Sequence, residues 1–144
     1  MSLLFPDMAD FASEIRRAFD ELDRQFGSRA GGEYMPPVDV FESAQGITIV
    51  VDLPGVAAAS VRAIVKDSAV IVIGDKPAAS CGCDTAQFHI AERSFGRFAR
   101  GVRLHGAFDA SRARATLASG ELRITVPRIE ERRGQEITIP IDAS

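Results

Sequence analysis

Hydrophobic positions along the chain follow three different periods. Across residues 7–26, Met8, Phe11, Ile15, Ala18, Phe19, Leu22 and Phe26 recur three and four places apart. That spacing puts them on one face of an α-helix. Asp7 and Asp10 suit the start of such a helix and Gly27 suits its end. The run Gly27-Ser28-Arg29-Ala30-Gly31-Gly32-Glu33 then reads as a flexible linker.

From Pro36 to Pro127 the period drops to two. Ile47, Ile49, Val51 and Leu53 alternate with Thr48, Val50 and Asp52, and Pro54-Gly55 ends that strand. Further strands are predicted over 61–66, 69–73, 98–104, 112–117 and 121–126. Asp67-Ser68 and Ser119-Gly120 turn two hairpins between them. In the last strand Leu122, Ile124 and Val126 face one way and Glu121, Arg123 and Thr125 the other. Gln87 to Glu92 is a short strand candidate inside a long connection that runs from Gly74 to Phe95. So long a connection inside a compact sandwich usually has a task of its own. Seven or eight short strands with frequent turns predict an all-β fold, an immunoglobulin-like sandwich of two antiparallel sheets. After Pro127 comes a charged tether, Arg128 to Glu136. The strand-like segment Ile137-Thr138-Ile139-Pro140-Ile141 follows it, with no hairpin partner. The expected organisation is a helical arm and linker over residues 1–35, a sandwich over 36–127 and an extension over 128–144.

Charge and candidate chemistry narrow the function. The formal net charge is −3 and the pI about 5.4, without the basic balance of a nucleic-acid binder. Arg93, Arg97, Arg100 and Arg103 cluster, as do Arg112 and Arg114, and a solvated strand face accounts for both groups. No apolar run approaches the roughly 20 residues that span a bilayer. The first residues, Met1 to Asp7, lack a basic region before an apolar one, so no signal peptide is expected. Cys81 and Cys83 stand too close together to staple a fold, and a reducing cytoplasm fits them. With His89 and His105 they are the residue types that ligate zinc. However, Cys-x-Cys is not a usual structural zinc pair, so an ordinary loop is expected, with His89 a partly exposed strand residue and His105 a turn residue. The chain has no nucleophile elbow, no zinc-protease helix and no phosphate-cradling loop. An enzyme, a cofactor and ATP-driven work are therefore not expected.

Four motifs then occur in order: Pro37-Val38-Asp39-Val40 with Leu53-Pro54-Gly55-Val56, Glu92-Arg93-Ser94-Phe95-Gly96-Arg97-Phe98, Ala115-Thr116-Leu117-Ala118-Ser119-Gly120-Glu121-Leu122, and the terminal Ile139-Pro140-Ile141. Together they resemble the Hsp20, or α-crystallin-domain, family in its bacterial and plant form. The sequence departs from the family pattern at Glu121, where Val is usual, and at His105, where Pro is usual. A charge at Glu121 can face solvent, and His105 is expected to leave its turn looser.

The resemblance implies a chaperone that holds unfolding clients without ATP, built as a homo-oligomer of dimers, with refolding left to ATP-dependent chaperones. It implies that the segment bearing Phe88, Ile90 and Glu92 crosses to a partner's sheet edge, near Val38 to Phe41. It also implies that Ile139 and Ile141, with Ile137 as the alternative member, anchor the tail in a groove on a neighbouring subunit. The arm residues Phe11, Ile15, Phe19, Leu22 and Phe26 are expected to form a client and assembly surface, since glycines tether the arm to the sandwich; the bland alternative is a helix packed on its own domain or paired with another helix. A sandwich adaptor similar to the p23 and CS-domain proteins is the competing class, and the isoleucine tail argues for self-assembly instead.

Overall fold

Two tight turns set the registers of the hairpins. Asp67 and Ser68 have φ of 50° and 64°, and Ser119 and Gly120 have φ of 53° and 76°. Positive φ at both central residues matches the right-handed twist of the strands that a two-residue turn joins. Lys66 therefore pairs with Ala69 and Ala118 with Glu121. In the computed structural model the described residues are Ser13, 15–17, Asp20, 33–80, Gly82, 86–129 and 139–141. They form seven strands: β1 (Val38–Ser43), β2 (Gly46–Asp52), β3 (Val61–Lys66), β4 (Ala69–Lys76), β5 (Gly96–Arg103), β6 (Arg114–Ala118) and β7 (Glu121–Pro127).

The strands make two antiparallel sheets, one in the order β1-β2-β7-β6 and the other β3-β4-β5. The fold is thus the all-β sandwich that the alternation predicts. Ile47, Ile49 and Val51 of β2 stand opposite Val126, Ile124 and Leu122 of β7. Val70, Val72, Phe98 and Val102 of the second sheet complete the same buried cluster. Apolar burial of this kind supplies the main stabilisation, about 1.5–3 kcal/mol for each fully buried side chain of this size. In β7 the alternation is strict, and Glu121 faces outward as expected.

The strand boundaries differ from the sequence reading where side chains cap or extend an element. β6 starts at Arg114 because Ala110–Arg112 forms a 3-10 turn. The Asp109 carboxylate caps that turn, accepting from the Ser111 backbone N–H at 3.1 Å. β4 continues past Ile73 to Lys76, and β5 begins at Gly96 to pair with it.

The segment 87–92 carries no strand in this chain, and His89, expected on a strand, is an exposed residue of irregular backbone. A strand needs a neighbour for its backbone groups, and none of the described strands pairs with this segment. His105 is exposed in the loop after β5.

β4 breaks the alternation, because it is buried on both faces. Val70 and Val72 point into the sandwich, while Ala69, Ile71 and Ile73 join Ala99 and the arm residue Ile15 in a second buried cluster, with Ile64 packed beside it. Ser13, Ile15, Arg16, Arg17 and Asp20 are helical, as the spacing of the arm predicts.

Candidate assembly surfaces

Strand edges are the parts of a sandwich with unspent hydrogen-bonding capacity, and β1, β3, β5 and β6 are the edge strands here. The β5 edge is partly closed from within the chain. Glu33 bridges to Arg97, and the Tyr34 N–H donates to the Arg97 carbonyl at 3.0 Å. The Arg100 guanidinium holds the Pro36 carbonyl at 2.8 Å. The chain then crosses to the other sheet and becomes β1. The β1 edge carries Phe41, 49% exposed, and Met35 just before it is 60% exposed. Val38 and Val40 of β1, Val61 and Val65 of β3 and Leu117 of β6 are half-buried against the core cluster. The edges therefore offer apolar seats that the chain's own described residues cover only in part.

Three apolar side chains of the long connection stand out from the domain. Phe88 is 66% exposed, Ile90 76% and Phe95 38%, and Glu92 is exposed beside them. The root of that connection is closed by Lys76, whose ammonium donates to the Ser94 carbonyl at 2.8 Å. Both ends of the projecting segment are thus held on the sandwich while its apolar side chains reach solvent.

The tail has the same character. Ile139 is 78% exposed and Ile141 94%, with no described residue covering either. Its root is better fixed than a solvated tether. The Arg128 N–H donates to the Gln45 carbonyl at 3.0 Å and the Ile129 N–H to the Ala107 carbonyl at 2.9 Å. The Arg128 guanidinium pairs with the Glu42 carboxylate and lies 5.3 Å from the centre of the Phe108 ring. Arg128 and Ile129 are thus held on the sandwich.

Of the arm residues, Ile15 is 8% exposed and packs on its own domain. Phe11, Phe19, Leu22 and Phe26 lie outside the described residues, as do Ile137, Cys81 and Cys83. Among the described residues no group of three or more His, Cys, Asp or Glu side chains is placed to hold a metal ion. No described helix is long and apolar enough to cross a membrane. The arginines do not act as one free basic face, since Arg100 is committed to Pro36 and Arg128 to Glu42 and Phe108.

Residues 39–142 match the model of the Hsp20/alpha crystallin family. The chain belongs to that family. The 17.8 kDa class I heat shock protein of Arabidopsis thaliana is 29% identical to it over 138 residues, covering 93% of this chain and 87% of the relative. The 16.9 kDa class I heat shock protein 1 of Triticum aestivum is 32% identical over 104 residues, covering 72% and 69%. Among solved structures, heat shock protein 16.0 of Schizosaccharomyces pombe superposes with a TM-score of 0.63 at 25% identity, over 76% of this chain and 99% of that one. A small heat-shock protein of Xylella fastidiosa, described as having a distinct high order structure, gives 0.64 at 25% identity over 75% and 98%. The family is one of small heat shock chaperones, not of enzymes. The motif resemblance and the sandwich therefore agree with these relatives.

Sequence reasoning missed Tyr34 and Lys76, which fasten the root of the arm and the root of the long connection, and it read Arg100, which holds the Pro36 carbonyl, only as part of a solvated strand face. A lone Tyr after a glycine linker and a Lys at a strand end carry no periodic signal, so only proximity in the fold reveals them.

Proposed function

We propose that this member of the Hsp20 family is an ATP-independent holdase that works as a dynamic homo-oligomer built from dimers. The observation that carries the proposal is a pair of projecting apolar segments, Phe88 with Ile90 and Ile139 with Ile141, both exposed on a sandwich whose edge strands bear half-buried valines and leucine. A segment with alternating apolar side chains and unpaired backbone fits a sheet edge on another copy.

In this reading the segment with Phe88, Ile90 and Glu92 adds to the β1 edge of a partner, beside Phe41 and Val40. Each subunit then hides an edge that would otherwise pair with unfolded chains. The tail isoleucines seat against the half-buried side chains of β3 and β6 on a neighbouring dimer. Burial of each isoleucine contributes about 1.5–3 kcal/mol, while ordering the segment costs on the order of 1–2 kcal/mol per residue. A single tail therefore docks weakly, and many tails on one assembly hold it together through effective concentration. Heating loosens the assembly and frees edges and apolar faces, which cover the exposed surface of an unfolding client and slow its aggregation. The cytoplasm is the compartment that fits, and ATP-dependent chaperones are the partners that take the client on.

The test pairs native mass by light scattering with a client-aggregation assay run without nucleotide. The expected result is a large assembly that suppresses scattering from a heat-denaturing enzyme. A monomer that suppresses nothing at any excess would favour an adaptor instead.

A further inference from the structure

β1 is an edge strand, and the residues that lead into it are held from both sheets. The Tyr34 N–H bonds the Arg97 carbonyl of β5, and Arg100 of the same strand holds the Pro36 carbonyl. At the end of β2, the Asp52 N–H donates to the Pro37 carbonyl and the Asp52 carbonyl accepts from the Tyr34 hydroxyl. Pro36 and Pro37 are fixed at φ by their rings, Pro36 is buried, and both their carbonyls are bonded. The start of β1 and the Tyr34 ring therefore cannot move independently.

The long connection between β4 and β5 is rooted at the same place. The β4-β5 ladder ends where Lys76 pairs with Gly96, and Ser94 lies just beyond that pair. The Lys76 side chain is buried, its ammonium lies over the Tyr34 ring, and it donates to the Ser94 carbonyl. A buried ammonium is costly without partners, so Lys76 follows both the ring and the carbonyl. Phe88 and Ile90, the exposed apolar pair of the connection, stand a few residues before Ser94.

We infer that Tyr34 and Lys76 link the two halves of a segment exchange within each subunit: a partner's segment seated on the β1 edge steadies Tyr34, and through Lys76 it steadies Ser94 and the subunit's own projecting segment. The linkage rests on the dimer proposed above; the clasp of Lys76 between Tyr34 and Ser94 rests on contacts alone.

The consequence is cooperative pairing. In a two-fold dimer each subunit gives one segment and takes one. Filling the first edge then sets the segment that must fill the second, so a half-exchanged pair is disfavoured. The tie is made of an ammonium, an aromatic face and a carbonyl shielded from water, where such contacts hold best.

The test uses the whole chain with Phe88→Ser and Ile90→Ser, labelled with nitrogen-15, and an unlabelled synthetic peptide of residues 86–93 with the native Phe and Ile. Hydrogen exchange is followed by NMR with and without the peptide. Saturating peptide should slow exchange along β1 and should also slow the amides around Ser94 by about fivefold. Linkage is reciprocal, so adding Lys76→Met should weaken peptide binding by about the same fivefold factor while β1 remains the protected strand. Methionine keeps the apolar stem and removes the charge. Tyr34→Phe keeps the ring face and should retain the affinity. Tyr34→Leu should lose as much as Lys76→Met, and the two together should lose no more than either alone.

Protection of β1 with unchanged exchange around Ser94 would overturn the linkage and leave the dimer standing. Protection of another strand, or of none, would reject β1 as the acceptor edge and the linkage with it. Additive losses in the double variant would overturn the route through Tyr34 and Lys76. Should Lys76→Met or Tyr34→Leu fail to fold, the exchange measured with and without peptide decides alone, since it needs neither substitution.

Discussion

The Lys76 ammonium lies 4.5 Å from the centre of the Tyr34 ring. Lys76 is 7% exposed and is the buried charged side chain among the described residues. A buried ammonium is costly unless it is paired. Here the ring face and the Ser94 carbonyl supply the partners. Tyr34 also meets Phe98 edge-on at 6.1 Å, and its hydroxyl donates to the Asp52 carbonyl at 2.9 Å. One aromatic residue thus joins the root of the arm, the core of the second sheet, the end of β2 and the root of the long connection.

This setting should be visible in the titration of Tyr34. Burial, and to a smaller extent the negative charge of Asp52, push its phenol above the ordinary value. Folding therefore favours the protonated phenol. Its contribution to stability is complete below the unfolded pKa and is lost as pH rises through the folded one. The chain has one Tyr and no Trp, so absorbance at the phenolate band reports this residue alone. The midpoint should lie higher in the native protein than in denaturant. Tyr34→Phe should reduce the alkaline loss in urea midpoints that sets in above about pH 10, and should cost about 0.5–1.5 kcal/mol at neutral pH for the lost hydrogen bond. Equal native and denatured midpoints would contradict the assignment.

Gly74 of β4 should not accept a side chain. A Cβ there would stand 2.4 Å from the Ser60 carbonyl oxygen and 2.5 Å from the Phe98 ring. Backbone cannot give way cheaply, and Phe98 is 1% exposed within the core. Gly74→Ala should therefore destabilise by about 1–3 kcal/mol in a urea melt. The near-ultraviolet dichroism of Tyr34, which packs on Phe98, should change with it.

Phe88→Ser with Ile90→Ser should leave the urea stability of the sandwich unchanged within about 0.5 kcal/mol, because both side chains are exposed in the single chain. If the segment completes a partner's sheet, the same pair should convert dimers to monomers in sedimentation at low concentration. A variant that keeps its parent mass would remove the segment from the dimer interface.

Ile139→Gly with Ile141→Gly separates assembly from folding in the same way. The expected product is a dimer or small species with an unchanged melting transition, since both residues are exposed here. Retention of the full native mass would leave the arm to hold the assembly alone.

The alternation of β2 and β7, the hairpins at Asp67-Ser68 and Ser119-Gly120 and the helical spacing of the arm were all legible in the sequence. Each depends on neighbours within a few residues: a period of two or 3.6, or a turn that tolerates positive φ. Local order of this kind determined the fold class and most of the strands. The segment 87–92 read as a strand because its side chains alternate too, but alternation supplies no partner, and in one chain its backbone stays irregular. The tertiary structure alone decided the rest. Whether Ile71 and Ile73 face solvent or a second apolar layer depends on Ile15, more than fifty residues away in the chain. Whether Lys76 is a surface charge or a buried clasp depends on Tyr34 and Ser94, brought together by the pairing of β4 with β5 and of Tyr34 with Arg97. These contacts join residues with no common period, so only the closed sandwich reveals which of them meet.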